Sequence, residues 1–229
     1  MTMKKYLFAA LLTAVLAGCV IHDDSIDADT IMSESLIDVY YLATPANPIR
    51  ISEHGSMGVE DHRLLYINKN GAEKAPLLEM RQRYDDTHFN SYIHQPGRYA
   101  VFANDFTSVD LVSDADFNDI EAGQSLGGVV RLHALSPYRW LSSGSKVTFD
   151  WEHFFDDSFW PDRGALPIGQ LFPVNSLLKD LTPDDLKLLL LNYTLLYFCE
   201  LPAIKTHTLT LTFYEKDTTI SSSTRVVFQ

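Results

Sequence analysis

Residues 123–128 read GQSLGG, so Gly123, Ser125 and Gly127 fit the pattern G-x-S-x-G. In that pattern a serine sits on a sharp strand-to-helix turn, its hydroxyl poised to attack an ester carbonyl. Such a serine needs an imidazole to take its proton and a carboxylate to orient the imidazole. Asp185 and His207 follow in the order Ser, Asp, His, and His54-Gly55 lies upstream where oxyanion donors can stand. Taken at face value, these residues describe ester hydrolysis.

The surrounding residues argue against it. A nucleophile elbow is entered by a buried apolar strand and left by a helix. Here the eight preceding residues, ADFNDIEA, hold four acids or amides, which is a loop composition. The alternating strand-helix pattern of a hydrolase sheet is missing on both sides. Asp185 falls at a helix start, and His207 follows the alternation of a strand face. A serine esterase or lipase using Ser125, Asp185 and His207 is therefore the alternative reading, and a glycine turn between loop and strand is the preferred one.

The remaining polar clusters are weaker. DADFNDIEAGQS begins like a calcium loop, but Asp119 stands where an EF-hand needs glycine and Ser125 where it needs glutamate. A shallower site from Asp114, Asp116 and Asp119 competes with a solvated acidic loop. The eight histidines show no H-E-x-x-H, so no zinc site and no cofactor are expected. Trp140, Trp151 and Trp160 lie among carboxylates and Phe in PYRWLSSG and DWEHFFDDSFWPDRG. Aromatic planes in that setting suit a protein or sugar ligand. Trp140 and Trp160 are the candidate ligand-binding residues.

The elements that must position these groups are mainly strands. In THTLTLTF (206–213), Leu209, Leu211 and Phe213 share one face and the threonines take the other, which predicts a half-buried strand. EKDTT supplies a turn, and STRVVF (223–228) returns as its partner. Further strands are expected at 36–43, 62–68, 97–103, 108–113, 127–135 and 145–151. One helix is expected in LTPDDLKLLLLNY, where Thr182 caps, Pro183 fits the first position, and Leu186, Leu189, Leu190 and Tyr193 form an apolar stripe. The chain should turn extended again at LLYFCEL. The pattern predicts a mostly β domain, an antiparallel sandwich with one or two short helices.

The N-terminus carries separate information. Lys4 and Lys5 precede an apolar run from Tyr6 to Leu16, which has the length of a secretory signal and is too short for a spanning helix of ~20 residues. Of the two cysteines, Cys19 ends this segment and Cys199 lies in LLYFCEL, where a small buried hydrophobe is expected. A disulfide-stapled domain is excluded. The formal charge is −12, and loss of Lys4 and Lys5 with residues 1–18 takes it to −14. So acidic a body repels nucleic acid and anionic lipid surfaces. Residues 19–35 read as an acidic tether, with an extension on the order of 20 Å if flexible. Residues 36–229 then form one domain.

Leu16-Ala17-Gly18-Cys19 resembles the lipobox of bacterial lipoproteins, which implies cleavage before Cys19 and a diacylglycerol on its sulfur. Two or more acyl chains give stable anchoring. LVSDADFNDIEAGQSLGGVVRL, with the closing hairpin, resembles small cell-envelope lipoproteins of Bacteroidetes-type bacteria. That resemblance implies an Ig-like sandwich and no assigned activity. Val20 differs from the aspartate that retains enterobacterial lipoproteins in the inner membrane, and His22-Asp23-Asp24 is similar to acidic surface-export signals. Ser25 and Thr30 lie in triplets resembling O-glycosylation sites of those bacteria. The expectation is an outer-membrane lipoprotein, displayed outward, whose domain binds a protein or glycan partner or serves a structural role without catalysis.

Overall fold

The computed structural model describes residues 30–52, 64–69, 71–94, 99–152 and 168–228. Within them the chain is mostly β, with thirteen strands and two short α-helices. A five-stranded antiparallel sheet runs in the order β10 (Phe172–Leu177), β9 (Val130–Ser136), β11 (Leu195–Phe198), β4 (Leu64–Asn68), β3 (Arg50–Ser52). A three-stranded antiparallel sheet joins β13 (Thr219–Val227), β12 (Thr206–Tyr214) and β8 (Ser108–Ser113). A third sheet places β2 (Val39–Leu42) between β5 (Glu73–Lys74) and β7 (Ala100–Phe102). Its β2–β7 pair is parallel, which departs from the purely antiparallel expectation.

Period-two alternation explains the core. Along β12, His207, Leu209, Leu211 and Phe213 are buried while the residues between them are half-exposed. Leu209, Leu211 and Phe213 meet Val109 and Leu111 of β8, Ile220 and Val226 of β13, and residues of the five-stranded sheet such as Leu132, Val174 and Leu196 in one apolar cluster. The Ser222 hydroxyl donates to the Ile49 carbonyl at 2.5 Å, tying β13 to the segment entering β3. A second cluster lies on the opposite face of the third sheet, around Tyr40 and Val101, with Met80, Trp140 and Leu188.

The leucine-rich run is not the expected α-helix. Two 3-10 turns form in it, at Pro183–Leu186 and Leu191–Tyr193, and Leu188 between them takes the left-handed conformation, φ 52°. Leu189 and Leu190 spend their backbone between sheets: the Leu189 carbonyl accepts from Phe102 at 3.0 Å and the Leu190 amide donates to Leu135 at 2.9 Å. Leu186, Leu188, Leu189 and Leu190 are all fully buried, so apolar surface is needed on every side and not on one stripe. The helices lie elsewhere, as α1 (Leu77–Tyr84) and α2 (Tyr138–Ser142).

Three further expectations are corrected. Residues 145–151 make no strand; Lys146, Val147 and Thr148 are exposed, and the Phe149 amide donates to the Gly169 carbonyl at 2.7 Å. Residues 30–35, expected in the tether, are built into the fold, because β1 (Thr30–Ser33) pairs with β6 (Ser91–His94) and Ser35 is buried. Cys199 is exposed, one residue beyond the end of β11.

Candidate functional site

The three residues of the hydrolytic alternative are committed to separate structural tasks. The segment holding Ser125 lies along the edge of β8: Gly123 donates to the Ser113 carbonyl at 2.7 Å and Leu126 to Leu111 at 2.8 Å. Ser125 donates to Asp110 at 2.6 Å and accepts from the Gly127 amide at 3.0 Å. Both glycines of the motif have local causes. Gly123 takes φ +81°, and a Cβ at Gly127 would stand 3.1 Å from the Ser125 hydroxyl and 3.3 Å from the Lys179 nitrogen.

His207 is buried under the rings of Phe117 and Phe228. Its Nε2 lies 2.7 Å from the Ile204 carbonyl, which can only accept, so Nε2 carries the proton. Nδ1 then accepts from the Ser113 hydroxyl at 2.7 Å. Both ring nitrogens are thereby engaged away from Ser125. Asp185 accepts from the amide and hydroxyl of Thr182 at 3.0 and 2.7 Å, closing the 3-10 turn, and faces Arg139 at 3.5 Å. The fold does not bring these three together as a proton relay.

The acidic loop is likewise spent on backbone. Asp114 accepts from Thr208 at 2.6 Å, and this bond holds its carboxyl below the usual range. Asp116 accepts from Ala122 at 2.9 Å. Among the described residues no three His, Cys, Asp or Glu side chains gather as a metal site. Trp140 is buried against Phe89, so it presents no open ring to a ligand. Trp151 is also buried, donating from its indole to the Leu171 carbonyl at 3.0 Å. Trp160, His54-Gly55 and Ser25 lie outside the described residues, and Thr30 opens β1.

Sequence reasoning missed two features. One is Asp86, fully buried beyond the end of α1, which accepts from the Leu36 and Ile37 amides at 2.7 and 3.0 Å and from the Tyr40 hydroxyl at 2.9 Å. Burial raises its pKa, with the two amides opposing, and burial together with Asp86 drives that of Tyr40 far upward. This carboxylate anchors the chain entering β2.

The other is an open cavity of about 400 Å³ beside the third sheet. Val39 is register partner to Ala100 and Tyr41 to Lys74, so the four side chains project from one face. That face, with Ile67 and Leu191, makes an apolar floor. Polar groups reach it from three elements: Lys74 from β5, Asn68 and Lys69 from the end of β4, and Asn192 from the turn before β11. Lys69 donates to the Tyr41 hydroxyl at 2.6 Å. Among the described residues no carboxylate pairs with either lysine. No single stretch of sequence signals this site, because its residues come from positions 39 to 192 and meet only in the fold.

A prokaryotic membrane lipoprotein lipid attachment site matches residues 3–19, ending on Cys19. The chain therefore carries the anchoring signal of a lipoprotein and is held to a membrane by lipid at its N-terminus. No curated protein and no solved structure matches it. Among the described residues no helix is long and apolar enough to cross a membrane.

Proposed function

We propose that this chain is an envelope lipoprotein, acylated at Cys19, whose β domain binds a glycan or protein partner without catalysis. The observation that supports binding is the open cavity, where apolar floor and convergent polar side chains combine as ligand sites commonly do. The two sheets facing a shared core support a sandwich, the Ig-like form expected from the resemblance to Bacteroidetes-type lipoproteins. Val20 and the acids behind it favour the outer membrane and outward display.

The binding role is tested by thermal shift of the intact lipoprotein, in an amine-oxide detergent, against a panel of envelope sugars and peptides. A ligand at 100 times its Kd adds about 2.7 kcal/mol, a rise in Tm that is easily read. A flat panel together with stoichiometric labelling by a fluorophosphonate would establish the esterase instead. Proteinase K on intact cells tests display: the domain should be lost while a periplasmic control survives. Cys19→Ser should move the protein from the detergent phase to the aqueous phase.

A further inference from the structure

Resting on that binding role, we infer that the cavity beside β2 takes an acidic sugar, a hydroxylated ring of about monosaccharide size bearing one carboxylate. The chain is strongly acidic overall, with 30 Asp and Glu against 18 Lys and Arg. Carboxylates are therefore the commonest available partners for any exposed lysine, yet Lys69 and Lys74 line one cavity with no described carboxylate on either. Two ammonium groups at one apolar-floored opening form a local positive site in a negative surface, and a carboxylate is the anion that completes them.

The other groups define the rest of the ligand. Tyr41 already accepts from Lys69 at its hydroxyl oxygen, so its own proton is available to donate toward the cavity. Lys69 also lies 4.1 Å from the Tyr41 ring centroid, which holds the ammonium in place before any ligand arrives. Asn68 and Asn192 each offer a donor and an acceptor, which is what ring hydroxyls require. The floor of Val39, Ala100, Ile67 and Leu191 suits the C–H face of a sugar. A bare inorganic anion would leave the amides and this floor unused. A neutral sugar would leave the lysines unpaired.

Isothermal titration of the intact lipoprotein in amine-oxide detergent tests this, with galacturonate and glucuronate as probes against galactose, glucose, acetate and phosphate. A uronate should bind at least about tenfold more tightly than its neutral sugar and than either small anion. Lys74→Gln and Lys69→Gln should each weaken the uronate by about tenfold, Lys74→Arg should retain most of the affinity, and Ser125→Ala should leave it unchanged. If Lys69→Gln lowers the Tm, Lys74→Gln, on a two-residue strand, decides alone. Equal binding of neutral and acidic sugars, or lysine variants without effect, would overturn the acidic-sugar assignment. Acetate or phosphate matching the uronate would reduce the site to a simple anion site and overturn it too. If no uronate binds while another member of the thermal-shift panel does, this inference fails and the binding role stands.

Discussion

The Ser113 hydroxyl and the His207 imidazole form a buried pair, 2.7 Å from oxygen to Nδ1, between neighbouring strands β8 and β12. It has the residue types of a catalytic dyad, but it is closed over by Phe117 and Phe228 and lies inside the core. Ser113→Ala leaves Nδ1 buried without its donor and should cost about 1–3 kcal/mol in chemical denaturation. Adding His207→Phe should cost less than the sum of the two single changes, because the pair is then removed as a unit. Strict additivity would show that the bond contributes nothing.

Asp86 should make stability fall as pH rises. Its carboxyl is raised above the ordinary 3.8 by burial, so the folded protein holds that proton more tightly than the unfolded chain. The resulting stabilisation is complete below pH 3.8 and is lost as pH climbs through the raised value. Melting curves of wild type and Asp86→Asn, taken from about pH 3.5 to 7, should therefore diverge in the variant's favour toward the upper end. Asp86→Ala should be severe at any pH, about 3 kcal/mol or more, because three buried donors lose their acceptor.

Ser125→Ala should leave the protein folded, with a loss under about 1.5 kcal/mol from its bonds to Asp110 and Gly127. A fluorophosphonate should label wild type and variant equally little. Gly127→Ala should be worse than Ser125→Ala, since its new methyl presses on backbone that belongs to Lys179. A stable Gly127→Ala would contradict the close approach.

Removal of residues from Ser223 onward should abolish folding. That cut takes the buried Val226 and Phe228 and leaves β12 with four of its nine pairings to β13. Truncating Phe228 alone to Ala should cost about 3–5 kcal/mol, given its ring contacts with Phe117 and Phe198. Circular dichroism and a melting scan of the purified lipoprotein read both outcomes.

The sequence by itself determined the ends of this protein. The signal closing on Cys19 is a local code read in a linear chain, so no fold is needed to recognise it. The closing hairpin was legible because strict alternation across 206–213 reports one buried face, and the structure pairs β12 with β13 in the expected way. β8 was legible at 108–113 as a short run rich in Val and Leu. Tertiary structure decided the rest. Thr182-Pro183-Asp184-Asp185 does begin a turn, but the leucines after it are buried on every side, and helical spacing cannot distinguish a stripe from full enclosure. Trp140 was placed at a surface by its charged neighbours and lies in the core, since composition does not report which way a ring faces. Ser125, Asp185 and His207 were in a workable order along the chain, and the fold sent each to a different partner. Lys69, Lys74 and Tyr41 carried no pattern at all until strand register placed Tyr41 beside Lys74 and brought Lys69 onto the Tyr41 hydroxyl. Register depends on pairing between distant strands, and that is why the cavity could be seen only in three dimensions.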